Sequence, residues 1–206
     1  MSRDDETLPT REIRDPRALR ALTSPVRLRI LERLYLDGPL TATELSEPVG
    51  ESPANCSWHL RELARYGFVE EAGGGKGRRR PWRAVSENLT WGTDEEAGEL
   101  AAAGVAASQL LRDQAAGALK EWAVWRREEP MEWRNAGFDM QTLAWLTVEE
   151  LAEFARVIAE LMTRHDERTH DPSKRPAGAR AIRLVASGIP AAPLPQQQTD
   201  PPPEQT

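Results

Sequence analysis

The sequence predicts a mainly α fold with a small β component (α+β), and three observations carry that expectation. Apolar residues recur at helical spacing behind paired start signals, Asp15-Pro16, Ser24-Pro25 and Ser52-Pro53. Two short runs, Phe68 to Ala72 and Trp82 to Ser86, read as strands of a hairpin and flank a tip of glycine, lysine and arginine. A long stretch from 93 to 129 is rich in Ala, Leu, Glu and Gln and holds no proline.

The first 14 residues are polar and aperiodic, so 1–14 is expected to be a disordered lead-in. Asp15 and Pro16 then open a short helix bearing Leu19 and Leu22. Ser24 and Pro25 open an amphipathic one that buries Leu28, Ile30, Leu31 and Leu34 and ends near Gly38. Thr41 with Glu44 forms a capping box for a helix through Val49, broken at Gly50. Ser52 starts the next helix, with Cys56, Leu60 and Leu63 inward and Gly67 as its stop. Two short helices joined by a tight turn form a helix-turn-helix, and a β-hairpin follows it at once. Residues 15–90 are therefore expected to form a winged helix-turn-helix domain.

From 93 to 129 one long helix carries an apolar stripe, including Leu100, Ala107, Leu111, Leu119 and Trp125, too long for the first domain to cover. That length points to a linker and dimerisation helix. Residues 130–187 read as a small C-terminal α/β unit for dimerisation or effector binding. In it Met140 to Leu146 and Ala181 to Ala186 are strand-like runs that could pair, and Thr147 with Glu150 caps an amphipathic helix between them. The polar loop 165–176 holds His165 and His170 beside Asp166 and Asp171 and reads as surface. Residues 188–206, rich in proline and glutamine, are expected to be a disordered tail.

The 206 residues, 39% hydrophobic and 29% charged, suffice for one moderate core or two small ones. The net charge of −6 is unevenly spread. From Arg11 to Ser86 there are 14 Lys/Arg against 10 Asp/Glu, whereas the remainder has 13 against 23. The local excess suits a nucleic-acid partner despite the acidic total. No apolar run is long enough to span a bilayer, and Asp4, Asp5 and Glu6 stand where a signal peptide would be basic. A cytoplasmic, nucleoid-associated location without a membrane partner is expected. The single cysteine, Cys56, excludes an internal disulfide or a thiolate metal site. No metal and no cofactor are expected, and no nucleophile–base pair or phosphate loop points to an enzyme.

A helix-turn-helix lays its second helix in the major groove, so double-stranded DNA is the expected partner. With Cys56, Leu60 and Leu63 inward, the candidate contacts on that helix are Ser52, Ala54, Asn55, Ser57, Trp58, His59, Arg61 and Arg65. Lys76, Arg78, Arg79 and Arg80 at the wing tip are candidates for phosphates or the minor groove. His59 serves equally well as a packing residue, and Cys56 reads as a small buried hydrophobe. Trp122, Trp125, Trp133 and Trp145 are candidates for an effector pocket, although core packing uses such residues as readily.

The runs Ala21-Leu22-Thr23-Ser24-Pro25-Val26-Arg27-Leu28-Arg29-Ile30-Leu31, Ala42-Thr43-Glu44-Leu45, Ser57-Trp58-His59-Leu60-Arg61-Glu62-Leu63 and Tyr66-Gly67-Phe68-Val69 resemble the ArsR-type winged-helix regulators. The resemblance covers about residues 15 to 86. It implies a homodimeric transcriptional regulator, often a repressor released by a small-molecule effector, with Asn55, Ser57, Trp58, His59 and Arg61 on the recognition helix. Metal-sensing members carry a cysteine pair where this chain has Ser46 and Glu47, or Asp and His ligands on a C-terminal helix that here lacks histidine. The resemblance is therefore to a non-metal-sensing member. The competing expectation is a protein-interaction module built on a winged helix, motivated by the acidic total and by Trp58 on the outward face.

Overall fold

The computed structural model of the protein describes residues 10–73, 80–85, 87–91 and 98–192. The chain is mainly helical with small sheets. In order it forms β1 (Thr10–Glu12), α1 (Pro16–Leu22), α2 (Pro25–Asp37), α3 (Ala42–Val49), α4 (Pro53–Arg65), β2 (Val69–Glu71), β3 (Trp82–Ala84), β4 (Asn88–Thr90) and α5 (Glu99–Trp125). Then come α6 (Met131–Ala136), α7 (Val148–Thr163) and α8 (Glu167–His170), with 3-10 turns at Arg126–Glu128 and Pro172–Lys174.

Local capping starts the helices where the sequence signals stand. Side-chain oxygens of Asp15, Ser24, Thr41 and Ser52 accept from the first-turn amides of α1 to α4. Thr41 with Glu44 and Thr147 with Glu150 complete capping boxes. Such bonds satisfy amides that have no partner within the helix. Gly50 ends α3 at φ +73°, a left-handed geometry that costs glycine no Cβ clash.

The C-termini are closed by arginines from other segments, two on the neighbouring α2 and one from the N-terminal strand. Arg27 donates to the carbonyls of Arg20 (3.0 Å) and Ala21 at the end of α1. Arg29 donates to Val49 O (3.2 Å) at the end of α3, and Arg11 to Tyr66 O (3.0 Å) past α4. Arg11 also pairs with Glu87 (2.8 Å) and lies 4.9 Å from the Phe68 ring centroid. Gly67, at φ +72°, makes room there, because a Cβ would meet the Arg11 guanidinium at 3.0 Å.

Leu19, Ile30, Leu45, Leu60, Leu63 and Val69 are fully buried and knit α1 to α4 and the wing into one core. Strands β2 and β3 pair antiparallel, Val69 with Ala84 and Glu71 with Trp82. Leu40 exchanges both backbone hydrogen bonds with Trp82 (3.0 and 2.8 Å), adding the third edge of the wing. Ala103 and Ala107 bring the N-terminal third of α5 onto α1.

Several expectations are corrected. The lead-in is ordered from Thr10: β1 pairs parallel with β4, and Ile13 is buried. A parallel pair joins segments distant in sequence, so neither run gives a local signal. Within the C-terminal unit, the runs 140–146 and 181–186 hold no helix or strand, and the unit is helical where an α/β layer was expected. β-propensity describes fit to a pleated neighbour, and no neighbouring strand meets either run in this chain. Helices α6 and α8 lie in stretches that sequence patterning leaves irregular. The expected start of the long helix at 93 or 94 and the wing tip lie outside the described residues, as does the tail from 193. Residues 188–192 hold no helix or strand.

Candidate nucleic-acid interface

Helix α4 divides cleanly. Cys56, His59, Leu60 and Leu63 are buried, whereas Ala54, Trp58, Arg61 and Arg65 are exposed, with Asn55 and Ser57 half-buried at the margins. The buried set falls at i, i+3, i+4 and i+7, one face of a helix, and the opposite face is open. Trp58, half exposed, is the largest apolar side chain on that open face. Arg61 reaches back to the Ser57 carbonyl (3.1 Å), and Arg65 lies 5.9 Å from the Tyr66 ring centroid. Neither forms an ion pair among the described residues.

Ser52 is spent on the helix cap, its Oγ accepting from Asn55 N at 3.1 Å. Asn55 is itself held: its side-chain amide donates to Glu51 at 2.6 Å. To read an adenine edge, Asn55 would exchange that bond for two to the base. The i, i+4 spacing of Glu51 and Asn55 is the sequence signal for this restraint, and sequence reasoning missed it.

His59 is corrected from reading face to core. It is 7% exposed, its ring meets Trp58 edge-on at 4.7 Å and 72°, and its Nδ1 has no hydrogen-bond partner among the described residues. Burial, reinforced by the Arg27 charge, pushes its pKa below the ordinary histidine value. A group whose folded pKa is depressed leaves stability intact above the unfolded value, about 6.5. Stability then falls as pH drops below that value, because the unfolded chain binds the proton first. Thermal melts between pH 8 and pH 5 should show a falling midpoint that His59→Gln flattens. A melt whose pH dependence is unchanged by that substitution would contradict this placement. Cys56 is fully buried, and burial pushes its thiol pKa up, so it behaves as a small hydrophobe.

The wing carries less free charge than the sequence suggests. Arg80 pairs with Glu71 (2.9 Å) and Arg83 with Glu70 (2.8 Å), each across the hairpin. Lys76, Arg78 and Arg79 lie outside the described residues. Of the basic excess from Arg11 to Ser86, Arg11, Arg27 and Arg29 close helix ends, while Arg14, Arg20 and Arg33 pair with Glu12, Glu99 and Asp37. Arg61 and Arg65 are the cationic side chains that α4 leaves exposed.

Of the four tryptophans considered for an effector, Trp122 lines an open groove in which the other three take no part. Trp122 packs beneath Arg126 (4.9 Å) and lines an open groove of about 500 Å³ with Leu119, Ala123 and Asp139. Trp133 packs beneath Arg180 (4.9 Å), Trp125 is 42% exposed, and Trp145 is wholly exposed.

Residues 22–72 match a family model described as a helix-turn-helix domain. The matched stretch runs from the end of α1 to the first wing strand and contains the whole α4 face. This match supports DNA binding and a transcription-regulatory role. No curated protein matches the sequence.

Proposed function

We propose that the protein is a homodimeric, sequence-specific transcriptional regulator of the ArsR type, acting as a repressor under small-molecule control. One observation carries the DNA-reading part: the exposed face of α4 offers Trp58, Arg61 and Arg65 while the buried face anchors the helix rigidly. An arginine on such a face matches the O6 and N7 acceptors of guanine, and Trp58 can pack on a sugar or a thymine methyl. Ala54 and Ser57 are small enough to let the helix approach the groove floor. Asn55 supplies a bidentate partner for adenine once released from Glu51.

The homodimer follows from the resemblance and from α5, which continues far past the residues that the first domain buries. A two-fold pair of α4 helices fits half-sites about one helical turn apart. Effector control rests on the resemblance and on the solvent-open groove beside Trp122.

Gel shifts on the protein's own upstream DNA, repeated across a salt series, test the reading. The expected result is a palindromic site whose affinity falls steeply with salt. Replacing Lys76, Arg78 and Arg79 together by alanine should lower the salt slope by about one unit for each phosphate that the wing no longer neutralises. Absence of binding even at low salt would overturn the reading. Docking onto a protein through Trp58, on the other hand, would survive neutralisation of the wing.

A further inference from the structure

We infer that Glu51, in the turn joining α3 to α4, is a second base-reading residue: it selects cytosine at the base pair next to the adenine that Asn55 selects. This assignment rests on the DNA-reading proposal above and deepens it.

The backbone fixes where Glu51 stands. Gly50, in the left-handed region at φ +73°, turns the chain out of α3, and its amide donates to Glu47 O at 3.1 Å. The next amide, that of Glu51, donates to Ser46 O at 2.9 Å. Such a pair of bonds closes the last turn of a helix and leaves the residue after the glycine little freedom. Ser52 then caps α4, and Cys56 N donates to Ser52 O at 2.9 Å. Glu51 is thus held between two helices anchored by buried Leu45, Val49, Cys56 and Leu60.

Its side chain is turned to α4. One carboxylate oxygen accepts from the Asn55 amide at 2.6 Å, a short, charge-assisted bond. Both side chains are half-buried at the margin of the exposed face. Stacked base pairs lie about 3.4 Å apart, so two groups one hydrogen bond apart address neighbouring pairs.

A carboxylate offers acceptors only, so the base that it selects must supply a donor. In the major groove guanine shows two acceptors, N7 and O6, and thymine shows O4 and a methyl group. Adenine sets its N6 donor beside the N7 acceptor. Cytosine alone shows a donor, N4, with no acceptor on the same base. In the free protein Glu51 and Asn55 satisfy each other. On the right sequence that one bond is exchanged for three, two between Asn55 and adenine and one from cytosine N4 to Glu51. On other sequences the pair stays closed, and the charge of Glu51 meets acceptor edges that repel it. Discrimination therefore comes from the rejected bases as well as from the accepted one.

The test is selection from a library of duplexes with a randomised core, using the full-length wild type, Glu51→Gln and Glu51→Ala, followed by anisotropy titrations on single base-pair variants. The wild type should enrich adenine and cytosine at adjacent pairs. Glu51→Gln keeps an acceptor for Asn55 and adds a donor, so its preference at the cytosine position should move toward adenine, which glutamine pairs at N6 and N7. Glu51→Ala should lose at least about fivefold of the discrimination at that position while the adenine position is kept. Combining Glu51→Ala with Asn55→Ala should cost more operator affinity than the two single losses together, because each single variant no longer has the mutual bond to break. Variants whose base preferences match the wild type at every position, whatever their affinity or melting point, would assign Glu51 a purely structural role and overturn the inference. A wild-type site with no required cytosine beside the adenine would overturn it too, and in both cases the DNA-reading proposal stands. A wild type that enriches no sequence even at low salt would remove that proposal and this one together. If the alanine variant folds poorly, the glutamine variant decides alone.

Discussion

Arg61→Ala should lower affinity for the operator by at least about tenfold, with the melting curve of the protein unchanged. Arg61 is exposed, and its hydrogen bond goes to the Ser57 carbonyl one turn back in its own helix. Removing it takes nothing from the core, and a surface substitution of this kind stays within about 0.5 kcal/mol of neutral. What it removes is a fork of donors at the centre of the open α4 face. A bidentate arginine–guanine pair is worth about 1–3 kcal/mol of discrimination, so specificity at one base pair should relax together with the affinity. Fluorescence anisotropy with the wild-type site and with single base-pair variants measures both. Equal weakening at every sequence would reassign Arg61 to a phosphate.

Leu60→Ala should have the opposite signature, a loss of stability first and of DNA binding only as a consequence. Leu60 is fully buried at the junction of α4 with the helices beneath it. Truncating a leucine in such a site costs about 2–5 kcal/mol, the forfeited transfer energy together with the cavity left behind. Against a total of about 5–15 kcal/mol, that is a large fraction for a domain of this size. Urea unfolding should show the midpoint falling with little change in slope. A shift below about 1 kcal/mol would mean that α4 is not seated as described.

The contrast between the two residues also shows what can be read from the chain alone. Helix starts are legible because capping is local: Ser52 and its partner amide on Asn55 are three residues apart. The division of α4 is legible in part. Helical spacing turns Cys56, Leu60 and Leu63 inward as found, but polarity argues for His59 outward, although its spacing from Cys56 puts it on the same buried side. Charge is the least faithful guide. Arg27 and Arg29 look like part of a basic surface, yet they close the ends of α1 and α3, an arrangement that depends on how α2 packs against its neighbours in the chain. The pairing of Thr10–Glu12 with Asn88–Thr90 is equally non-local. In the C-terminal half, the composition of 140–146 and 181–186 signals extended chain, and the helical unit around them shows that composition does not name a partner strand.

The exposed face of α4 as the surface that meets DNA is tested most directly by the indole proton signals of the seven tryptophans. With the Trp58 resonance assigned through Trp58→Phe, a titration with duplex carrying the operator should shift or broaden that signal from the first additions. Those of Trp133 and Trp145 should stay in place. A Trp58 signal that remains unmoved at saturating DNA, while the C-terminal indoles respond, would contradict the account.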